Sequence, residues 1–425
     1  MSNKLLVPRI RFKEFTNAWE QEKLGECSKF YNGLTSVSKS DFGVGKDLYI
    51  DYLNVFNNTF SQFSELKKFK NSSRQNYVQF KDVILTISSE TPDEVAMSSV
   101  INWKNDYKNV AFNSFCILVR FNQLEKYDVN YIGYFFRSNS FRTQAMLMAQ
   151  GISRFNINQT ALKKTLFLFP PNIYEQQKIG NVLYYLDSLI TLHQRKLLSL
   201  KNLKSRLLDR MFCDEKSQFP SIRFKEFTNA WEQEKLGECS KFYNGLTSVS
   251  KSDFGVGKDL YIDYLNVFNN TFSQFSELKK FKNSSRQNYV QFKDVILTIS
   301  SETPDEVAMS SVINWKNDYK NVAFNSFCIL VRFNQLEKYD VNYIGYFFRS
   351  NSFRTQAMLM AQGISRFNIN QTALKKTLFL FPPNIYEQQK IGNVLYYLDS
   401  LITLHQRKLN SLKNIKNTLL DKMFV

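Results

Sequence analysis

At 425 residues the chain is long enough for two or more hydrophobic cores, and its 43% hydrophobic and 22% charged residues suit globular protein rather than disorder. Its 56 Lys and Arg against 38 Asp and Glu leave a formal charge of +18, which points to an anionic partner, nucleic acid first. No run approaches the roughly 18 apolar residues of a membrane span, Met1–Pro8 lacks the apolar core of a signal sequence, and five scattered cysteines with no CxxC pair and only His193 and His405 leave no zinc set, so the expected protein is cytoplasmic, reduced, metal-free and not membrane-bound.

From the N-terminus, the first distinctive stretch is Ser36–Lys46, a polar, basic loop with glycines. Gly43-Val44-Gly45-Lys46 has the look of a phosphate loop, but Ser40 stands where the first glycine belongs and Asp47 would repel a nucleotide. Lys67, Lys68, Lys70 and Arg74, with Asn71, form a basic cluster suited to phosphates or to a solvated face. Val83–Ile87 and Phe115–Phe121 are predicted strands, with Ser88-Ser89-Glu90-Thr91 a loop leaving the first. Asp128 caps a predicted helix that carries Ile132, Phe135 and Phe136, continues to Met148 and stops at Gly151. Thr165–Phe169 reads as a closing strand, and Pro170-Pro171 end this mixed α/β half.

Asn172 follows as an N-cap with Glu175 as its capping-box partner. From Glu175 to Phe212 the pattern predicts one helix of about 57 Å. Ile179, Leu186, His193, Leu200 and Leu207 recur every seven residues, Val182, Leu189 and Leu203 take d-like positions, and Leu183, Ile190 and Leu197 widen the stripe. A sustained seven-residue repeat implies supercoiling against another helix.

All of this occurs twice. Ile10–Leu197 recurs unchanged as Ile222–Leu409, 188 residues at an offset of 212. Only the tails diverge: Leu198 becomes Asn410, Leu203 becomes Ile415, Ser205 becomes Asn417 and Arg206 becomes Thr418. Solenoid units run to about 20–50 residues, so this is a tandem pair of whole modules, with boundaries expected at 8–171, 172–216, 217–383 and 384–425. The second helix, Glu387–Phe424, carries Ile391, Leu398, His405, Leu412 and Leu419. A stripe this long cannot be buried by one small globule, so each helix is the natural partner of the other. Identical modules making identical contacts imply a pseudo-twofold axis.

The order of segments resembles a known family. "PRIRFKEFTNAWEQEKLGE" opens a mixed domain, and "FPPNIYEQQKIGNVLYYLDSLI" closes it into a long helix. This is similar to the specificity subunits of type I restriction-modification enzymes, over essentially the whole chain. The proline-pair, Glu-Gln helix entry is Pro170, Pro171, Glu175, Gln176, Ile179, Leu183, Asp187 and Ile190, and again Pro382, Pro383, Glu387, Gln388, Ile391, Leu395, Asp399 and Ile402. The resemblance implies an α+β fold: two mixed α/β target recognition domains alternating with two long helices that pair as a pseudo-twofold symmetric, antiparallel coiled coil. It implies double-stranded DNA as ligand, two modification subunits that carry S-adenosylmethionine, optional restriction subunits, and no cofactor in this chain. Relatives usually carry two different recognition domains; here they are the same, so an inverted repeat of one half-site is the expected target.

Under that resemblance, affinity comes from Lys and Arg on phosphates and specificity from polar side chains at base edges. The candidates are Ser36, Ser38, Lys39, Lys46, Lys67, Lys68, Lys70, Arg74, Ser88, Ser89, Glu90, Thr91, Arg154 and Asn156. Their second copies are Ser248, Ser250, Lys251, Lys258, Lys279, Lys280, Lys282, Arg286, Ser300, Ser301, Glu302, Thr303, Arg366 and Asn368. Glu90 suits a cytosine amino group, Arg154 a guanine and Asn156 an adenine, each bidentate contact worth about 1–3 kcal/mol. Catalytic residues are not expected. Phe169-Pro170-Pro171-Asn172 has the letters of an adenine methyltransferase motif in the wrong order. Pro92-Asp93 with Asp106-Tyr107-Lys108, repeated at Pro304, Asp305, Asp318 and Lys320, fits a loose metal-dependent nuclease pattern, but in a turn-like setting. A duplicated nuclease and a coiled-coil protein-binding scaffold are the alternatives.

Overall fold

A computed structural model describes residues 6–71, 73–103, 109–283, 285–316 and 321–425. The chain divides into two compact units, one of residues 1–194 with 407–425, the other of residues 195–406. In the first module the elements run β1 (Glu20–Lys23), α1 (Leu24–Cys27), β2 (Ser28–Asn32), β3 (Phe42–Ile50), α2 (Tyr52–Asn57), β4 (Lys67–Phe69), β5 (Val83–Thr86), β6 (Ser88–Ser89), β7 (Ser98–Val100), β8 (Val110–Phe112) and β9 (Cys116–Phe121). They continue as α3 (Val129–Phe135), α4 (Asn139–Met148), β10 (Phe155–Asn156), α5 (Gln159–Lys164), β11 (Leu166–Phe169) and α6 (Ile173–Arg210). The second module repeats these elements 212 residues on, ending in a second long helix, Ile385–Lys422.

The expected strands centre on β5 and β9, whose apolar runs are buried along nearly their whole length. They pair antiparallel inside a four-stranded sheet of order β2-β9-β5-β7. Phe115, the expected start of β9, lies outside it and is exposed. A smaller sheet, β4-β3-β8, packs Leu34, Tyr49, Phe69 and Ala111 into its own core. The closing strand β11 pairs antiparallel with β1, Glu20 opposite Phe169, which ties the opening of the module to its end.

The single helix expected from Asp128 to Met148 is two. Asp128 caps α3, its carboxylate accepting from the amides of Asn130 and Tyr131 at 3.0 Å each. The helix then breaks because Arg137 turns inward and donates to the carbonyls of Ser98, Val55, Phe56 and Asn58, while Ser138 Oγ donates to Phe135 O. Burial pulls the Arg137 guanidinium down to about 10. Gly151 does not stop the helix, which ends at Met148; it serves the loop that follows.

Asn172 caps α6, its side-chain oxygen accepting from Tyr174 N at 2.9 Å. Glu175 does not complete the capping box. Its carboxylate is buried and takes a bidentate pair from Arg11, at 2.7 and 2.9 Å, with Trp19 Nε1 at 3.2 Å. Next to it Gln176 accepts from Asp128 N at 2.9 Å and donates to Lys126 O and Pro170 O. The Glu-Gln pair thus clamps the root of α6 to the opening segment and to the cap of α3.

The boundary between the units falls inside α6, after Gln194, so each unit contains parts of both long helices. In the first unit Asp187 of α6 meets Lys416 of the second long helix at 2.6 Å, and Ile179 and Leu183 share a core with Met423 and Phe424. Rising numbers on one helix therefore face falling numbers on the other, an antiparallel pairing. The second unit repeats it with Lys204 on Asp399 at 2.6 Å and Met211 and Phe212 beside Ile391 and Leu395. The stripe differs from expectation in one respect. Leu183, Ile190 and Leu197 are buried and are its true second line, whereas Leu189 and Leu203 are 44% and 45% exposed. Of the seven-residue positions, Ile179, Leu200, Ile391 and Leu398 are buried, and Leu186, His193, Leu207, His405, Leu412 and Leu419 half-buried. No helix among the described residues is long and apolar enough to cross a membrane.

Candidate nucleic-acid interface

Of the candidate side chains, fourteen in each copy, the structure draws four separate stretches of sequence into two groups per module. The first group is built on β3 and β4, which pair antiparallel with Leu48 opposite Lys68 and Tyr49 opposite Lys67. The register slips between Phe42 and Asp47, so Gly43-Val44-Gly45-Lys46 bulges from the strand. That bulge is an exposed part of β3 and not a loop opening a helix, which removes the phosphate-loop reading. Gly45, at φ +86°, lies so close to the partner strand that a Cβ would sit 2.5 Å from Phe69 O. Lys46, between Gly45 and Asp47, is thereby carried to the Lys70 end of β4.

The loop before β3 is held by its own polar groups. Asp41 accepts from the Ser38 amide at 2.8 Å and from the Ser38 hydroxyl, which hold its carboxyl below the usual range. Ser36 takes φ 54°, a left-handed conformation costly for a residue with a side chain. Gln75, buried, donates to Thr35 O at 2.9 Å and accepts from Thr35 N at 3.0 Å. It staples this loop to the segment holding Arg74. Ser36, Ser38, Lys39, Lys46, Lys67, Lys68, Lys70 and Arg74 are all exposed.

The second group arises from β6 and β10, which pair antiparallel with Ser89 opposite Phe155 and Ser88 opposite Asn156. Two stretches more than sixty residues apart in sequence thus become neighbours. The expected loop at Ser88-Ser89 is therefore a strand, and both serines are buried. They act as scaffold: Ser89 Oγ donates to Glu94 at 2.9 Å, and Tyr52 donates to Ser88 O at 2.8 Å. Glu90, Thr91, Arg154 and Asn156 remain exposed around this ladder. The second copy has the same register, Ser300 opposite Asn368 and Ser301 opposite Phe367, with Glu302, Thr303 and Arg366 exposed. Ser248, Ser250, Lys251, Lys258, Lys279, Lys280, Lys282 and Arg286 are likewise exposed.

Sequence reading missed Tyr52, Gln75 and Glu94, the supports of these loops. Nothing in their local pattern marks them: Tyr52 and Gln75 act on partners 36 and 40 residues away, and Glu94 on a serine five residues back. Burial raises the Tyr52 phenol above its usual value, consistent with a fixed donor. Of the nuclease pattern, Asp93 sits in a 3-10 turn and its carbonyl accepts from Arg142, whose guanidinium burial lowers to about 10. The pattern's other members, Asp106, Lys108, Asp318 and Lys320, lie outside the described residues, and no cluster of metal-ligating side chains occurs among the described ones. Phe169-Pro170-Pro171-Asn172 is the turn from β11 into α6.

Comparison with known proteins supplies the family. The model of the type I restriction modification DNA specificity domain matches residues 17–202 and again 229–414. Solved structures share the fold: the type I restriction-modification S subunit from M. genitalium, 15% identical with a TM-score of 0.58, covers 99% of each chain. The HsdS subunit from Thermoanaerobacter tengcongensis is 16% identical with a TM-score of 0.50 over 96% of each chain. A chain from a study of type I R-M complex assembly and conformational transition is 16% identical with a TM-score of 0.56, over 95% of this chain and 97% of its own. No curated protein matches. With two matches that together span most of its length, the chain belongs to the type I restriction-modification DNA specificity family.

Proposed function

We propose that this chain is the non-catalytic, DNA-reading subunit of a type I restriction-modification complex in the cytoplasm. Each module reads one half of a bipartite double-stranded target, and the long helices seat two modification subunits, which bring S-adenosylmethionine; restriction subunits join the same assembly when cleavage is required. The exposed Lys46 of β3, Lys67 and Lys68 of β4, and Lys70 and Arg74 just beyond it supply the salt-dependent phosphate contacts, and Glu90, Thr91, Arg154 and Asn156 supply discrimination at base edges. The target is an inverted repeat of one half-site around an unread spacer.

The observation that carries this reading is the repetition of the side chains together with their local bonds, since the β6–β10 register recurs unaltered in the second module. Readers built alike prefer the same bases. Sequencing the methylation pattern of a host that carries the complex tests it, with a gapped, inverted-repeat motif as the expected result. Two unrelated half-sites would overturn the symmetric target.

A further inference from the structure

We infer that Ile152, and Ile364 in the second module, are specificity-determining residues that each contact the 5-methyl group of a thymine in the half-site. This rests on the DNA-reading function proposed above and adds to it a ligand group of a different chemistry. Ile152 is 97% exposed, as is Ile364, so nearly the whole side chain stands clear of its module. Its backbone is firmly held. Gln150 and Asn156 exchange both backbone hydrogen bonds, at 2.9 and 2.8 Å, which closes residues 151–155 into a hairpin loop. Gly151, at φ +142°, makes the turn; a Cβ there would lie 1.9 Å from Arg154 O. The stem of the hairpin, β10, is paired with β6, so the loop is fixed beside Glu90.

A single exposed apolar residue needs no explanation on most surfaces. Here it is β-branched and stiff at χ1, is presented by a braced hairpin, and shares that hairpin with Arg154 and Asn156. The edges of a DNA major groove carry donors, acceptors and one apolar group, the thymine methyl. An isoleucine among polar readers matches that group, while Arg154 and Asn156 match the donors and acceptors. The second module presents the same arrangement, with Gly363 at φ +140° and Arg366 O 2.0 Å from its Cβ position.

The test uses the chain assembled with its modification subunits and duplexes carrying the methylated motif's sequence, each half-site thymine replaced in turn by uracil, which deletes only the methyl. One position in each half-site should lose about fourfold in affinity, the value of one buried carbon, and the Ile152→Ala, Ile364→Ala double variant should bind the thymine and uracil duplexes there equally. The variant should keep the melting temperature of the parent. A motif without an A·T pair, a parent indifferent to uracil at every position, or a variant that keeps the parent's thymine preference would each overturn the inference while leaving sequence-specific binding intact. Absence of any sequence preference in the parent would instead defeat the DNA-reading function.

Discussion

At the scale of single residues, the candidate interface separates exposed side chains proposed to meet DNA from those that hold the loops. Arg154 and Lys67 are both exposed cations, yet they should behave differently. Replacing Arg154 and Arg366 with Ala should cost about 1–3 kcal/mol of discrimination at one base pair of each half-site, seen as relaxation of the methylation motif. Replacing Lys67 and Lys279 with Ala should weaken binding to all sequences alike and lower the slope of log affinity against log salt by about 1 for each phosphate no longer neutralised. Asp41 is a holder. Hydrogen bonds from the Ser38 hydroxyl and amide favour its ionised form, so its folded pKa lies below the unfolded value of 3.8. Its stabilisation of the turn is therefore present above that value and lost as pH falls through the lower folded one. A carboxyl-carbon NMR titration should place its midpoint below that of an ordinary aspartate, and Ser38→Ala should move it up. An ordinary midpoint in the parent would show the turn to be open.

At the scale of elements, the long helices show how a clear pattern leaves its phase undecided. A repeat at Ile179, Leu186 and Leu200 is compatible with a second line either three or four residues on. The sequence admits Val182, Leu189 and Leu203 as readily as Leu183, Ile190 and Leu197. Contact with α3 and the module core selects the latter, since Leu183 is fully buried and Leu189 is not. Leu183→Ala should therefore destabilise the fold by about 2–5 kcal/mol, whereas Leu189→Ser should stay within about 0.5 kcal/mol; equal losses in denaturant titrations would contradict this phase. Lys204 and Lys416 occupy the same second line and are matched by Asp399 and Asp187, so this polar layer constrains register rather than adding apolar area. Glu175 shows the opposite lesson. Its spacing from Asn172 satisfies a local rule, but Arg11 and Trp19, over 150 residues away, offer a bidentate charge pair and an indole N–H in a buried setting. The stronger partners take the carboxylate.

At the scale of the whole molecule, the core of each module is closed by residues at the end of the other module's long helix. Phe424 packs against Trp19, Tyr131 and Phe135 of the first module, and Phe212 against Trp231, Tyr343 and Phe347 of the second. Ile10 N also donates to Lys422 O at 2.9 Å. Phe424→Ala should cost about 3–5 kcal/mol and, in hydrogen exchange, loosen the first module while leaving the second protected; uniform loosening, or none, would contradict the closure. By itself the sequence determined the duplication, the module order, the strands β5 and β9, the long helices and the basic character of the exposed loops, because these depend on local composition and on period. Tertiary structure alone decided which stripe of the helices is buried, why α3 and α4 are separate, which segment closes each core, and that Ser88-Ser89 and Phe155-Asn156 lie side by side. Those outcomes depend on pairing between residues far apart in the chain, and neither hydrophobic period nor turn chemistry carries information about partners at that distance.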